Sequence, residues 1–348
     1  MKQFLNFKQP INLKENDWSK FNTLSLVNKY DNEMICEENV LIPESGLVYK
    51  NFKDLKYSYP YPYHIFITNS QKNLKYMLRK FVNFLKLKYY ISYRIDKNYL
   101  IITDYWSNNY FHWFSEALPR LLNAQAIKND VSIILLPLSY EKKNFVIESL
   151  DLLNIPYEFT EKKVNLYVKK ILFAPHLITS GHHIPKIMKQ LKKELIKKDT
   201  QSRYKIRRMY ISRQNATLRN ILNEEELFPI LKKYHFEVVK MENYSWQEQV
   251  LMMKDVEYLV GPHGAGLTNM LFSTNKLSIL ELLPQRRNKT INNCYYSLSS
   301  SLDYNYYYQF AERQILSSKL DDGGDSNFFI NIDAFESNIR MMLKNNEK

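Results

Sequence analysis

Short apolar runs alternate with helix-length amphipathic segments throughout the second half of the chain, and this alternation constrains the fold most. Two of the amphipathic segments open with capping pairs, Asn223 with Glu226 and Ser245 with Glu248. Parallel strands joined by helices that cover both faces of the sheet give this pattern. The strands are predicted at 209–212, 237–241, 258–260, 278–283 and 304–310.

A similar but weaker alternation begins at Tyr99, so we predict two α/β domains. A polar, charged run at 199–208 lacks apolar periodicity and is the predicted linker. The predicted domains are residues 1–200, on the acceptor side, and residues 201–348, which bind the donor, with the last helix free to pack back on the first domain. In the weakly patterned first 95 residues we predict strands and one helix, at about 71–87.

The basic charge of the chain indicates an anionic partner or a lysine-rich solvated surface, and it does not distinguish them. The 348 residues carry a net charge of +13. The two cysteines, Cys36 and Cys294, are far apart and lack metal-ligand spacing, which favours a reducing compartment. We find no signal-peptide pattern at the N-terminus and no apolar run of about 18 residues. The expected location is therefore cytoplasmic, with peripheral attachment to the inner face of a membrane as an alternative.

The strongest local motif is GPHGAGLTN at 261–269, which carries three of the seven glycines in the chain. It leaves the carboxyl end of a predicted buried strand and enters a helix at Ala265. Free backbone N–H groups and the helix dipole favour an anion such as a diphosphate there. A tight turn without a ligand is the alternative. We predict donor contacts from His263, Gly264, Ala265, Gly266 and Asn269, with a hydrogen-bonded structural histidine as the alternative for His263.

A second motif, YISRQNATLRNILNEEE at 210–226, places two arginines after another predicted strand. Arg213 follows the strand directly, and Arg219 lies in the loop before the next helix. Two guanidinium groups in one crevice can bind a diphosphate and stabilise a departing nucleotide; a pair of surface arginines is the alternative. Asn223 is read as the helix cap, and Glu224 as a hydroxyl acceptor or a partner of the helix dipole.

A third motif, NYFHWFSEALPRL at 109–121, holds a candidate base. His112 and Glu116 are four residues apart and share one face of a predicted helix. A histidine beside a carboxylate suits removal of a proton from an acceptor hydroxyl, and a structural hydrogen-bonded pair is the alternative. The neighbouring aromatic residues, 110, 111, 113 and 114, are either core or a platform for a sugar ring.

These three motifs resemble the pattern of family 61 glycosyltransferases, which include bacterial capsular polysaccharide biosynthesis proteins. Plant xylosyl- and arabinosyltransferases and animal N-acetylglucosaminyltransferases belong to the same family. The resemblance rests on N-Y-F-H-W-x-x-E-x-L-P-R, on Y-I-S-R-x-x-A-x-x-R-x-x-x-N-E, and on V-G-x-H-G-A-G-L-T-N followed by Ile279, Leu280 and Glu281. It covers roughly residues 99–284.

The resemblance implies an α/β fold of the GT-B type, with two Rossmann-like doubly wound domains facing a central cleft. It also implies inversion at the anomeric carbon, a UDP-sugar donor and a saccharide or lipid-linked saccharide acceptor, with capsule or surface glycan synthesis as the setting. Catalysis falls to His112 and Glu116. By position, the donor site comprises Arg213, Arg219, Glu224, His263, Gly264, Ala265, Gly266, Asn269 and Glu281.

No cofactor is expected to be required, and no metal-binding residues are assigned. A clear Asp-x-Asp pair at a strand end is missing from the matched sequence, so a reaction without a divalent metal is favoured over one that uses it. The competing classes are a basic protein that binds nucleotide or nucleic acid without catalysis, and a transferase of another group on a similar scaffold. Because no nucleic-acid-binding signature is recognised, no nucleic-acid partner is expected.

Overall fold

The computed structural model describes most of the chain in two compact units. The first unit comprises the described residues of 28–180 together with residues 2–3, and the second those of 4–27 and 181–348. The predicted helix at 71–87 lies almost entirely outside the described residues. The described residues are 2–4, 7–21, 26–28, 33–51, 53–60, 78, 82, 90–127, 133–196, 202–284, 291–313 and 326–345.

The elements are numbered in chain order. The strands are β1 (Lys2–Phe4), β2 (Leu26–Asn28), β3 (Ile35–Ile42), β4 (Tyr49–Lys50), β5 (Lys53–Asp54), β6 (Ile91–Arg94), β7 (Tyr99–Ile101), β8 (Ile133–Leu136), β9 (Tyr157–Phe159), β10 (Asn165–Phe173), β11 (Arg208–Ile211), β12 (Glu237–Val239), β13 (Tyr258–Pro262), β14 (Ser278–Pro284), β15 (Asn305–Arg313) and β16 (Phe328–Phe329). The helices are α1 (Trp18–Phe21), α2 (Tyr110–His112), α3 (Leu118–Ile127), α4 (Asn144–Leu152), α5 (Pro185–Leu195), α6 (Glu224–Lys233), α7 (Trp246–Met253), α8 (Cys294–Ser301) and α9 (Ile332–Lys344).

Shorter helices complete the structure. A π-helical turn, Trp113–Ala117, joins α2 to α3 in one continuous helix. The 3-10 helices are Glu15–Asp17, Lys56–Ser58, Leu138–Lys142, Met241–Asn243 and Ala265–Phe272.

The first unit is built on a mixed sheet in the order β5-β4-β3-β10-β7-β8-β9, with β6 also paired to β10. Strands β7, β8, β9 and β10 are mutually parallel, whereas β3, β4 and β5 are antiparallel. The parallel part follows the alternating pattern that begins at Tyr99. The antiparallel part comes from residues 35–54, whose weak periodicity did not reveal it, so the prediction of a purely parallel sheet is wrong for this unit.

The second unit contains a sheet in the order β12-β11-β13-β14-β15-β16. The first five strands are parallel, and β16 is an antiparallel edge. The chain runs from β11 outward to β12, and then returns to β13 on the other side of β11. The strand order therefore reverses between β11 and β13, which is where open α/β sheets hold their ligands, beyond the carboxyl ends of the strands.

Apolar side chains on one face of this sheet pack against helices. One core cluster joins Tyr210, Val260 and Leu280 of three adjacent strands to Leu227 of α6 and Phe335 of α9. The last helix therefore packs within the second unit, rather than on the first domain as the sequence allowed.

The boundary between the units lies after Ser180, whereas the sequence placed it at residue 200. Helix α5 begins at Pro185 and belongs to the second unit, where Met188 and Leu191 are buried. Its apolar face packs against α8 and the Ala265–Phe272 helix. The Nδ1 atom of His183, just before α5, lies 3.0 Å from the hydroxyl of Ser297.

The two capping pairs predicted from the sequence have different outcomes. Ser245 and Glu248 form a complete capping box at the start of α7, which confirms that prediction. Asn223 occupies the N-cap position of α6, as predicted, but its side chain makes no capping hydrogen bond, so the predicted capping box with Glu226 is wrong. The side-chain amide of Asn223 instead exchanges hydrogen bonds with the backbone of Ile330, at 2.9 and 3.0 Å, and ties α6 to the segment before α9.

Candidate active site

The end of β11 is held by a buried carboxylate. Glu224 accepts hydrogen bonds from the hydroxyl of Tyr210 at 2.7 Å and from that of Ser212 at 3.1 Å. Burial and the neighbouring Glu224 raise the pKa of Tyr210 well above its usual value, so the phenol stays protonated and donates. These contacts fix the strand end from which Arg213 projects.

The guanidinium of Arg213 lies against the backbone of Gly264, across the point where the strand order reverses. A Cβ at residue 264 would come within 2.8 Å of the Arg213 Cζ, so the close approach requires glycine. The Nη2 atom donates to the carbonyl of Leu218 at 3.2 Å, while Nε is buried without a hydrogen-bond partner among the described residues. Arg213 thus brings a half-buried positive charge to the crevice.

Arg219 lies close to Arg213 and reinforces that charge. Burial, followed by the positive charge of Arg219, lowers the pKa of Arg213. Arg219 has a φ of +60°, a left-handed conformation that few non-glycine residues adopt. Its loop is tied down by the amide of Asn220, which donates to the side chain of Asn327 at 2.9 Å. Two like charges held together in this way favour a multiply charged anion between them.

The glycine loop packs closely on β11. A Cβ at Gly261 or at Gly266 would lie 3.3 or 3.0 Å from side-chain atoms of Ile211. Ala265 and Gly266 open the 3-10 helix Ala265–Phe272, where backbone N–H groups lack acceptors earlier in the helix. Amides at this position, beside Arg213, can donate to phosphate oxygens.

His263 belongs to a buried hydrogen-bonded row behind the loop. Its Nδ1 lies 2.5 Å from Oε1 of Glu281, and Oε2 of Glu281 accepts from the hydroxyl of Tyr306 at 2.6 Å. The ring of Tyr295 packs edge-on against the imidazole at 5.0 Å between centroids. Glu281 therefore fixes the tautomer and orientation of His263.

Three of the predicted donor-binding residues are buried and hydrogen-bonded within the unit. Glu224, Asn269 and Glu281 are 4%, 0% and 0% exposed. Asn269 donates to the side chain of Gln249 at 3.0 Å, so it links the 3-10 helix to α7. These contacts position the neighbouring strand ends and loop, and a direct contact of the three side chains with the donor stays a prediction.

In the first unit, the structure brings His112 and Glu116 together as predicted. Asn109 caps the helix through a hydrogen bond from the amide of Phe111, and the π-helical turn follows. Nδ1 of His112 lies 3.0 Å from Oε2 of Glu116, whose other oxygen accepts from the hydroxyl of Ser180 at 2.7 Å. The imidazole is about one-fifth exposed, so its Nε2 side is available to a ligand. Such π-helical turns are frequent at functional sites.

The neighbouring carboxylate sets the charge state of His112. Burial alone would lower its pKa, but the ion pair with Glu116, helped by Asp104, raises it above the ordinary 6.5. The negative charge 3.0 Å away favours a proton on Nδ1, although the pair does not have hydrogen-bond geometry, and a proton on Nδ1 leaves Nε2 as the proton acceptor. This pair has the geometry of a general base.

A buried charge cluster beside this pair was missed by the sequence analysis. Asp104 lies 2.9 Å from Nε2 of His176 and 3.7 Å from Nη1 of Arg120, which also donates to the carbonyl of Ala174. Burial opposes ionisation of Asp104, but the bond from His176 and the charge of Arg120 hold its pKa well below the usual range. The signal was Arg120 in the third motif, since an arginine on an otherwise apolar helix needs a buried partner.

Of the two alternatives for the aromatic residues of the third motif, three residues are core and Tyr110 is half-buried. Phe111, Trp113 and Phe114 are buried, and the indole of Trp113 donates to the hydroxyl of Ser149 at 2.9 Å. The exposed aromatic side chains in this region are Tyr105 and Trp106, in the loop before the helix. The ring of Trp106 packs on the imidazole of His112, with 5.2 Å between centroids.

Metal and membrane features are not seen in the described part of the chain. Across the described ranges, no three or more His, Cys, Asp or Glu side chains are grouped as metal ligands. No helix among the described residues combines the length and apolar character needed to cross a membrane.

The second unit is a mostly parallel α/β sheet, with cationic side chains and a glycine loop at the point where the strand order reverses. The family comparison gives the class of protein. Residues 110–280, about half of the chain, match the model of the family described as Glycosyltransferase 61. The chain carries a glycosyltransferase 61 domain, which confirms the resemblance inferred from the motifs.

A curated relative supports the same family. Over 98 residues the chain is 38% identical to the EGF domain-specific O-linked N-acetylglucosamine transferase of Drosophila melanogaster. The matched stretch is 27% of this chain and 18% of the fly enzyme, so the two proteins share a segment rather than their full length.

Proposed function

We propose that this protein is an inverting glycosyltransferase, which moves a sugar from a UDP-sugar to a saccharide or lipid-linked saccharide acceptor. The observation that carries the proposal is the guanidinium of Arg213 packed on the backbone of Gly264, where the order of the parallel strands reverses. A crevice of this kind, with fixed cations and backbone amides, suits the two phosphates of a nucleotide sugar. The family of residues 110–280 supports the reaction class.

In this proposal the second unit binds the donor. The diphosphate lies between Arg213, Arg219 and the amides of Gly264, Ala265 and Gly266. With its Nδ1 proton held by Glu281, His263 accepts a hydrogen bond at Nε2 from a sugar hydroxyl. Fixed positive charge stabilises the leaving UDP as the glycosidic bond breaks, and losing one such donor costs about 3 kcal/mol of transition-state stabilisation.

The first unit supplies the base. Nε2 of His112 removes the proton of an acceptor hydroxyl, while the hydroxyl oxygen attacks the anomeric carbon from the face opposite the leaving group. One bond forms as the other breaks, the electron pair leaves with UDP, and the anomeric configuration inverts. The proton ends on His112, where Glu116 stabilises the imidazolium.

The GT-B type of fold is part of this proposal, since each unit has a parallel α/β sheet region, as that fold requires. We also propose that Arg213 and Arg219 do the work of a divalent cation, so that no cofactor is needed. Synthesis of a capsule or of another surface glycan in the cytoplasm completes the proposal. The fly relative's name makes UDP-N-acetylglucosamine the first donor to try.

Peripheral contact with an anionic membrane is proposed through helix α5. Lys186, Lys189 and Lys193 are exposed on it, opposite its buried apolar face. If they attract anionic lipid, charge reversal of the three should reduce sedimentation with phosphatidylglycerol vesicles at low salt. Equal sedimentation of the two proteins would remove this part of the proposal.

A donor screen tests the reaction directly. UDP release is measured with UDP-glucose, UDP-galactose, UDP-N-acetylglucosamine and UDP-xylose, with and without saccharide acceptors and EDTA. The proposal expects release from at least one donor, increased by an acceptor and maintained in EDTA. Absence of UDP release from all four donors would contradict it, and release abolished by EDTA would contradict the metal-independent part.

A further inference from the structure

A pocket of about 820 Å³ lies within the first unit, at the carboxyl ends of β7 and β8. The loop after β7 forms one side, with Thr103, Tyr105 and Trp106. The 3-10 helix after β8, Leu138–Lys142, forms another. The volume lies within the range of roughly 300–1,000 Å³ that small-molecule sites occupy.

The walls of this pocket are built by specific contacts. Gly46 adopts a φ of +73°, and a Cβ there would lie 2.5 Å from Cγ of Pro137. The carbonyl of Glu44 accepts from the amide of Leu138 at 3.1 Å and from the hydroxyl of Thr160 at 2.8 Å. On the other side, the amide of Tyr105 donates to the carbonyl of Ser58 at 3.0 Å. The shape is therefore largely preformed, which lowers the entropic cost of binding.

Two exposed aromatic side chains line the pocket. Tyr105 is 43% exposed and Trp106 is 38% exposed. Large rings at such exposure bring apolar faces with polar edges to a ligand, a combination that suits the C–H faces and hydroxyls of a sugar. Because the ring of Trp106 also packs on the imidazole of His112, a ligand in this pocket lies next to the candidate base.

The charged side chains of the pocket nearly balance. Glu44 and Glu141 face Lys142 and Lys162, while the charge of the buried Asp104 is offset by Arg120 and His176. None of the described residues that line the pocket is an arginine, and the loop after β7 lacks the glycine spacing of a phosphate site. Carboxylates and ammonium groups together suit the hydroxyls of an uncharged ligand, whereas a nucleotide diphosphate is better matched by the crevice at Arg213.

We infer that this pocket is the acceptor subsite and that it binds a neutral oligosaccharide, with Trp106 as the stacking face. The inference rests on the proposed function for the role of the ligand as acceptor, but the binding itself needs no donor. It places the terminal sugar hydroxyl of the bound saccharide near Nε2 of His112.

The test measures binding without transfer. Saturation-transfer NMR and tryptophan fluorescence are recorded with neutral trisaccharides of glucose, galactose, N-acetylglucosamine and xylose at up to 10 mM, without nucleotide. An Arg213→Ala protein serves alongside the wild type, so that the donor site is disabled. We expect at least one trisaccharide to bind equally to both proteins, with millimolar affinity.

Matched aromatic variants locate the site. Trp106→Ala should weaken that binding at least tenfold, and Trp106→Phe should restore part of it. Tyr90→Ala removes an 84% exposed aromatic residue outside the pocket and should leave binding unchanged. Thermal melting shows whether each variant is folded. If Trp106→Ala does not fold, the site is located by two other measurements. These are the affinity of Trp106→Phe and the change in tryptophan fluorescence on binding, which should be smaller in Trp106→Phe than in the wild type.

Two results would overturn the inference. One is a lack of binding by all four trisaccharides, and the other is binding that Trp106→Ala and Trp106→Phe both leave unchanged. Saccharide binding with no UDP release in the donor screen would leave the pocket in place and contradict the proposed reaction. UDP release without saccharide binding at Trp106 would support the proposed reaction and contradict the assignment of this pocket.

Discussion

The guanidinium of Arg213 takes the space that a side chain on Gly264 would need, because a Cβ at that position would lie 2.8 Å from the Arg213 Cζ. The two residues follow the neighbouring strands β11 and β13, at the point where the strand order reverses. Their contact joins the second motif to the glycine loop in one anion site. It also makes both positions testable independently.

Gly264→Ala should displace the Arg213 guanidinium and weaken UDP binding about tenfold. The clash is with the mobile end of a long side chain, and the backbone at residue 264 is extended, with φ 170°. The free energy of unfolding should therefore change by less than about 1 kcal/mol. Calorimetric titration with UDP and urea unfolding measure the two effects. Unchanged UDP affinity would show that the close contact has no role in binding.

Arg219→Gly should separate binding from stability. The φ of +60° strains the backbone of an arginine, and glycine removes that strain from the folded state. This gain in stability offsets the loss that comes from the greater flexibility of glycine in the unfolded chain. We expect a melting temperature no lower than that of the wild type, with UDP affinity reduced at least tenfold by loss of the cation. Arg219→Ala, which keeps the strain, is the matched control and should melt lower. Full UDP affinity in both variants would contradict the role of Arg219.

The pH dependence of transfer should report His112. A base must be neutral, and the pKa of His112 is raised by Glu116, so the acid limb of kcat/KM should have its midpoint above 6.5. Glu116→Gln removes the charge that raises the pKa while burial still lowers it, so the midpoint should move to lower pH. An acid limb that stays in place in Glu116→Gln would assign the base to another group.

The same pair contributes to stability in a defined pH window. Because the folded-state pKa of His112 exceeds the unfolded value, the ion pair stabilises the fold fully below about pH 6.5 and loses this effect as the pH rises through the raised pKa. NMR titration of the His112 ring gives this pKa without any substrate. If the free energy of unfolding fell as the pH was lowered through the pKa of His112, the pair would not stabilise the fold.

Removing Glu281 should disturb both His263 and the fold. Glu281→Ala leaves Nδ1 of His263 and the hydroxyl of Tyr306 without their buried acceptor, and each orphaned group costs about 1–3 kcal/mol. Tyr306→Phe removes one hydrogen bond and should cost about 1 kcal/mol while it keeps His263 in place. Urea unfolding measures the loss of stability. Equal effects from the two variants would mean that His263 does not depend on Glu281.

Local patterns predicted the parts of the site that lie within single turns of chain. Arg213 and the glycine loop follow apolar strands directly, and His112 and Glu116 share a helix face at spacing four, so their placement follows from periodicity. The Asp104, Arg120 and His176 cluster joins residues up to 72 positions apart, and no local pattern contains that pairing. Likewise, Asn223 favours a cap by residue type, but its tertiary contact with Ile330 prevails.

The boundary between the units also depends on tertiary contacts that local sequence patterns do not contain. The polar run at 199–208 has the composition of a linker, yet Ser202 donates to the carbonyl of Leu251 at 2.7 Å and Arg207 pairs with Glu257 within the second unit. Helix α5 has an apolar face that either unit could have buried. The sequence of α5 shows that Met188 and Leu191 form an apolar face. It does not show which other helices bury that face, because this depends on the tertiary fold.

Calorimetric titration of UDP into the wild type, Arg213→Ala and Arg207→Ala tests the central claim most directly. Arg207 precedes β11 at its amino end, is exposed, and pairs with Glu257, so it is a matched arginine away from the crevice. The account predicts UDP binding by the wild type, the same affinity for Arg207→Ala, and at least a tenfold loss for Arg213→Ala. Equal UDP affinity in Arg213→Ala and Arg207→Ala, or no affinity in the wild type, would contradict it.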